Sequence, residues 1–189
     1  MTKRIFYCDI DGVLLNLEAT IRHVLSKELN LDLLDPVRTS SFEEYYGISK
    51  YVLGAPSDPP NRIWSKIYDQ PLDAFMNAIT FVKELQDLNF EVIGLSHRVG
   101  IQAADASKRE LEANRIPLDN VVFVNSAQEK LGYLGFGKAY IDDLPHFAAN
   151  AGTTGAQTFL ISRPWNLQSA DLGNYVRVSN LLNIKGYLA

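Results

Sequence analysis

The amino-acid sequence predicts an α/β fold, a parallel β-sheet flanked by helices with a small helical cap inserted after the first strand. Three observations carry that expectation. Short apolar runs recur along the chain, they are mostly apolar instead of alternating, and helical patterns separate several of them. Strands that are apolar on both faces are covered on both faces, and strand–helix alternation implies parallel strands joined by right-handed crossovers.

The elements follow in order. Residues 4–10 read as the first strand, followed by the turn pair Asp11-Gly12. About sixty residues then pass without a convincing strand, far more than a crossover helix requires. Within them, residues 17–30 are expected to be helical, with Ile21, Val24, Leu25 and Leu29 on one side. Residues 41–46 and 61–68 are further candidate helices, separated by a proline-containing loop at 56–60. This interval sets the domain expectation: a helical cap over residues 16–71, on a core made of residues 1–15 and 72–189. Residues 73–88 are the best helix, with Phe75, Ala78, Ile79, Val82 and Leu85 on one face and Asp73 placed to cap its start. Residues 90–95 form the second strand, ending at Ser96-His97-Arg98, and residues 100–115 a more charged helix. Strands at 121–124, 139–141, 158–161 and 175–178 complete the series.

Composition narrows the function classes. A chain of 189 residues, 47% hydrophobic and 21% charged, is a globular protein and excludes intrinsic disorder and a coiled coil. With 18 basic against 22 acidic residues the net charge is -4, the opposite of the bias needed to grip a nucleic-acid backbone. Nucleic acid is therefore not an expected partner, whereas a small phosphorylated ligand needs only a local cluster of donors. The single cysteine, Cys8, excludes an internal disulfide and a multi-cysteine zinc site. No stretch approaches the roughly 20 apolar residues of a membrane span. The first residues reach Asp9 too soon for a signal-peptide core, so a cytoplasmic setting without a membrane partner is expected. A homodimer is compatible with all of this.

The strongest chemical signal is Cys8-Asp9-Ile10-Asp11-Gly12-Val13-Leu14, directly after an apolar strand. Ligands of parallel sheets bind at the carboxyl ends of strands. Two carboxylates two residues apart at such an end converge on one point, which is costly unless a cation or a shared proton relieves them. Asp-Gly is also an ordinary turn pair, but a second acidic pair, Asp142-Asp143, stands at the end of another short apolar strand. Alone, that pair reads as a turn and helix cap. Together, Asp9, Asp11, Asp142 and Asp143 form a hard-cation site whose oxygen-only ligation points to Mg²⁺ over zinc.

Ser96 stands at the end of the second strand, where its hydroxyl and the following backbone N–H groups can cradle a phosphate, with His97 and Arg98 beside it. Lys130 lies on a short helical pattern, and Lys138 is its nearest competitor. Trp64 and Tyr68, one helical turn apart in the insert, can stack on a nucleobase or pack the insert on the core. Cys8 reads as a small buried residue.

Taken in order, Asp-X-Asp-Gly-Val, the strand-end Ser, Lys and Ile-Asp-Asp resemble the haloacid dehalogenase-like phosphohydrolase superfamily. The resemblance implies a Rossmann-like core, with Asp9 as nucleophile and Asp11 as general acid and base. It also implies that Ser96 and Lys130 bind the transferring phosphoryl group. Mg²⁺ is expected on Asp9, the Asp11 carbonyl and the Asp142-Asp143 pair. The valine of Asp-Gly-Val-Leu, the helical insert and the segment Arg163-Pro164-Trp165-Asn166 are more finely similar to the type C 5′-nucleotidases, which include the 5′(3′)-deoxyribonucleotidases. Ser96-His97-Arg98 departs from that family's Thr-Ser-Pro-type segment and is similar to the Ser-Gly-Arg of polynucleotide 3′-phosphatases. The implied activity is a Mg²⁺-dependent 5′-nucleotidase. A nucleic-acid 3′-end phosphatase and a non-catalytic phosphate-binding module remain the alternatives.

Overall fold

Six short apolar runs become the strands of one sheet in a computed structural model, which describes residues 3–30, 63–97, 101–135 and 137–188. In chain order the strands are β1 (Arg4–Cys8), β2 (Phe90–His97), β3 (Asn120–Val124), β4 (Lys138–Asp142), β5 (Gln157–Ile161) and β6 (Val176–Val178). All neighbouring strands pair in parallel, in the order β3-β2-β1-β4-β5-β6. The expected strand set is thus present, with β2 running two residues further, through Ser96 to His97, and β1 ending at Cys8 so that Asp9 lies just beyond it.

Both sheet faces are covered, which explains why the strands are apolar throughout. One face carries Phe6, Cys8, Val92, Ile141 and Phe159, with Phe6 edge-on to Phe81 and Phe90. The other carries Tyr7, Ile93, Leu95 and Tyr140. Successive residues of β1 point to opposite faces, and each meets a helical layer.

The helices among the described residues are α1 (Leu17–Leu29), α2 (Ile63–Tyr68), α3 (Ala78–Asp87), α4 (Ile101–Ala113), α5 (Ala127–Gly132), α6 (Pro145–Thr153) and α7 (Lys185–Leu188). Helix α3 buries Ala78, Phe81, Val82 and Leu85, spaced as one helical face requires. The described parts of the insert form a separate small core, in which Ile21, Val24 and Leu25 of α1 meet Ile63 and Ile67 of α2. The expected helix at 41–46, the loop at 56–60, residues 61, 62 and 100, and Arg98 lie outside the described residues.

One expected boundary is corrected. Asp73 does not cap α3, which begins at Ala78 after Asn77. Residues 73–75 are instead drawn back onto the loop after β1: Asn16 N–H donates to the Asp73 carbonyl (2.8 Å) and Phe75 N–H to the Leu14 carbonyl (2.8 Å). Asn114 Oδ1 accepts from the Ala74 N–H at 3.0 Å. Those tertiary bonds satisfy the backbone groups that a first helical turn would have left unpaired.

Candidate active site

The strand order creates the site. From β1 the chain builds outward through β2 and β3, then returns to place β4 on the other flank of β1. Such a reversal opens a crevice at the carboxyl ends of the two central strands. Register makes the crevice acidic. Cys8 pairs with Ile141, so the next residues, Asp9 and Asp142, leave the sheet side by side, and Asp9 N–H donates to the Ile141 carbonyl (3.0 Å).

Beyond β1, Ile10 is fully buried, which leaves Asp9 and Asp11 to line the cleft. The turn closes on itself through Leu14 and Leu15 N–H bonds to the Ile10 carbonyl, both 2.9 Å. Gly12 adopts φ +77°, and a Cβ there would stand 2.2 Å from Asp143 Oδ2. Only glycine lets this turn approach the second acidic strand end so closely.

Lys130 enters from α5, whose first turn is capped by the Ser126 hydroxyl accepting from the Glu129 N–H (3.1 Å). The lysine is only 2% exposed. Its Nζ donates to Asp9 Oδ1 at 2.7 Å and to Asp142 Oδ2 at 3.1 Å, with the Phe147 ring centroid 4.9 Å away. Burial alone would lower its pKa, but Asp142 and Asp9 outweigh that and raise it, so the ammonium is held. Burial raises the Asp9 carboxyl to about 7: Lys130 pulls it back, while Asp142 and Asp11 push it up. Asp143 is likewise pushed well above the usual carboxylate range by burial and by Asp142 and Asp9, against the Trp165 hydrogen bond.

The acidic pair divides into two environments. Asp142 is fully buried: Oδ2 accepts from Lys130 and the Tyr140 hydroxyl, and Oδ1 from the Leu144 N–H (2.8 Å). Asp143 lines the cleft, and its Oδ2 accepts from the Trp165 indole N–H at 2.7 Å. Asp9, Asp142 and Asp143 each offer an oxygen, and these oxygens lie within 4.8 Å of one another. Three buried carboxylate oxygens without histidine or thiolate form a donor set that fits a hard divalent cation.

A cavity of about 200 Å³ gathers Asp9, Asp11, Ser96, His97, Lys130 and Asp143. Ser96 is buried at its wall, whereas His97 is exposed at its rim. Lys138 is elsewhere, donating to the Tyr133 carbonyl. Trp64 and Tyr68 are not brought to this cavity among the described residues. They stack on each other (5.8 Å between centroids), Tyr68 packs on Ala106 of α4, and Arg109 Nη2 donates to the Tyr68 carbonyl at 2.6 Å. Cys8 is fully buried, its thiol pushed up by burial and by Asp9, and it donates to the Asp9 carbonyl.

Sequence reasoning did not assign Glu18, Leu144 and Phe147 to the cavity wall. Nothing in their local pattern separates them from ordinary first-turn helix residues. Trp165 had a signal, the Arg163-Pro164-Trp165-Asn166 segment, but not its contact with Asp143.

No family model and no curated protein matches the chain. Solved structures do match over its whole length. A Clostridium difficile protein named as a phosphatase has a TM-score of 0.66 at 15% identity, covering 100% of both chains. The Bacillus subtilis HAD-hydrolase YfnB bound to magnesium has a TM-score of 0.65 at 13% identity, covering 100% of this chain and 99% of that one. A haloacid dehalogenase-like family hydrolase from Streptococcus pneumoniae has a TM-score of 0.63 at 16% identity, covering 99% of each. An L-2-haloacid dehalogenase is also among the matches. The chain therefore has the Rossmann-like α/β fold of haloacid dehalogenase-superfamily hydrolases.

Proposed function

We propose that this protein is a Mg²⁺-dependent phosphomonoesterase acting through an aspartyl phosphate, with a (deoxy)nucleoside 5′-monophosphate as substrate. One observation carries the reading: Lys130 bridges Asp9 and Asp142 beside Asp143, in a cleft that Asp11 and Ser96 also line. Asp9, Asp142 and Asp143 are the residues that would hold Mg²⁺, which when bound would screen their charges and stabilise the phosphoryl oxygens.

Asp9, held in position by Lys130, attacks phosphorus as the ester P–O bond breaks, and Asp11 protonates the departing alkoxide. Asp11 then removes a proton from water, which attacks the same phosphorus, releases inorganic phosphate and restores the Asp9 carboxylate. Lys130 and Ser96 bind the phosphoryl oxygens throughout. The nucleotide reading is supported by the resemblance of the segment from Arg163 to Asn166 and by the rings of Phe147 and Trp165 in the cleft wall. The insert, residues 16–71, is proposed as the cap that covers the leaving group.

Phosphate release from a panel of ribo- and deoxynucleoside 5′- and 3′-monophosphates, a 3′-phosphorylated oligonucleotide and an aryl phosphate, with and without Mg²⁺, tests this. Mg²⁺-dependent release that favours 5′-monophosphates supports it. Halide release from a 2-haloacid, with no phosphatase activity, would assign the other chemistry found on this fold.

Asp11→Asn gives a sharper expectation. A sugar alkoxide needs a proton to leave and an aryl oxide needs much less help, while acid–base assistance is worth about 10²–10⁴-fold. Phosphoenzyme formation should therefore collapse with nucleotides and be partly spared with aryl phosphate, as resolved by single-turnover kinetics. Equal impairment of both would remove Asp11 as the acid.

The titration of Asp9 gives a stability expectation. Its folded pKa, about 7, lies above the ordinary 3.8, so the folded protein binds this proton more tightly than the unfolded chain. The associated stability is complete below about pH 4 and is lost as pH rises through 7. Mg²⁺ binds the ionised carboxylate and so competes with that proton, and its thermal stabilisation should be larger at pH 8 than at pH 5.5. Thermal unfolding at both pH values checks this, and a larger Mg²⁺ shift at pH 5.5 would contradict it.

A further inference from the structure

The segment after β5 ties both halves of the site together. Arg163 Nε donates to the Gly12 carbonyl at 2.6 Å and its Nη2 to the Val13 carbonyl at 3.0 Å, while its guanidinium lies 3.5 Å from the Phe75 ring centroid. Asn166, fully buried, donates to the Asp143 carbonyl (2.7 Å) and the Ile161 carbonyl (2.8 Å). Its Oδ1 accepts from Arg177 Nη1 and from the Arg163 N–H, both at 3.0 Å. Between them, Trp165 donates its indole N–H to Asp143 Oδ2.

From this network we infer that Trp165 is a positioning residue for the cation site: its indole N–H fixes the Asp143 carboxylate, and Arg163 and Asn166 fix Trp165. The inference rests on the metal-site reading above. Asp143 stands beside two other buried carboxylates, so like-charge repulsion drives its side chain away from them. A lysine or arginine donor would restrain it at the expense of cancelling the charge that a cation needs. An indole N–H restrains it and leaves that charge intact. Among the described residues no donor reaches Asp143 Oδ1, which leaves that oxygen for a ligand. Lys130 and Trp165 thereby split the work: the charged donor holds Asp9 and Asp142, and the neutral one holds Asp143.

The test is Mg²⁺ binding by calorimetry to the full chain, comparing wild type, Trp165→Phe and Trp165→Tyr, with kcat and KM for an aryl phosphate at saturating Mg²⁺. Phenylalanine keeps a ring and loses the donor, whereas tyrosine returns an O–H donor on a ring. Mg²⁺ affinity should fall about 10- to 100-fold in Trp165→Phe and largely recover in Trp165→Tyr, and kcat should follow the same order. Wild-type Mg²⁺ affinity in Trp165→Phe, or equal losses in both variants, would overturn the inference and leave the phosphatase reading standing. Weakened Mg²⁺ binding in a protein whose wild type hydrolyses no phosphate ester would support the inference and remove the phosphatase reading. Absence of Mg²⁺ binding by wild type would overturn both.

Discussion

Asp9→Asn is expected to give a folded protein that has lost phosphatase activity by at least about 10⁴-fold, because an amide cannot form the acyl phosphate. The fold should survive for a local reason. The amide that replaces the Asp9 carboxylate still offers an oxygen to Lys130, which keeps Asp142 at 3.1 Å, and the site loses one of three crowded acidic groups. The metal-free variant should therefore melt at or above the wild-type temperature at pH 8, where the wild-type Asp9 is ionised against its raised pKa. Wild-type protein quenched during turnover should carry hydroxylamine-labile phosphate, and the variant none. Turnover at the wild-type rate by Asp9→Asn would end the covalent mechanism.

Lys130→Met should have the largest effect on stability. It leaves Asp9, Asp142 and Asp143 buried together without their cation, and removing one partner of a buried ion pair costs about 3–5 kcal/mol. For a domain of this size that corresponds to a fall of roughly 6–20 °C in Tm. The defect should be conditional. Without the ammonium, Asp9 and Asp143, both already raised by burial, bind protons more tightly in the folded state than in the unfolded chain, so the loss is greatest at pH 8 and shrinks as pH falls toward about 4. Millimolar Mg²⁺ should restore part of it at pH 8. A loss that is the same at pH 5 and pH 8 and insensitive to Mg²⁺ would show that the ammonium acts through the faces of the Phe147 and Tyr140 rings and not through the carboxylates. Activity should fall with it, since Lys130 also faces the phosphoryl group in the proposed mechanism.

Much of this site is legible in one dimension because its parts sit at strand ends. Asp9 and Asp11 are separated by Ile10, and in extended backbone alternate residues share a side, so the motif itself implies two converging carboxylates around one buried apolar anchor. The apolar runs likewise imply strands covered on both faces, because a strand exposed to water on one face would alternate. Asp142, Asp143 and Ser96 are readable by the same rule, as polar residues placed where an apolar run stops. Lys130 is the limiting case. Its helix is visible, but a buried lysine and a solvated one look alike until something negative faces it, and its partner Asp9 is 121 residues away.

Tertiary structure decided the rest. Periodicity put Trp64 and Tyr68 one turn apart and did not say what the pair would face; contact with Ala106 of α4 did. Local pattern allowed Asp73 to start a helix, but pairing of residues 73–75 with the loop after β1 outweighed one cap bond. The Asp143–Trp165 bond joins residues 22 positions apart, on segments that follow different strands. By itself, then, the sequence determined the strands, their burial and the acidic strand ends, because those depend on alternation and charge within a few residues. Which ends meet depended on the order β3-β2-β1-β4, which sets Asp9 beside Asp142 through packing of the whole sheet, an interaction that no local pattern encodes.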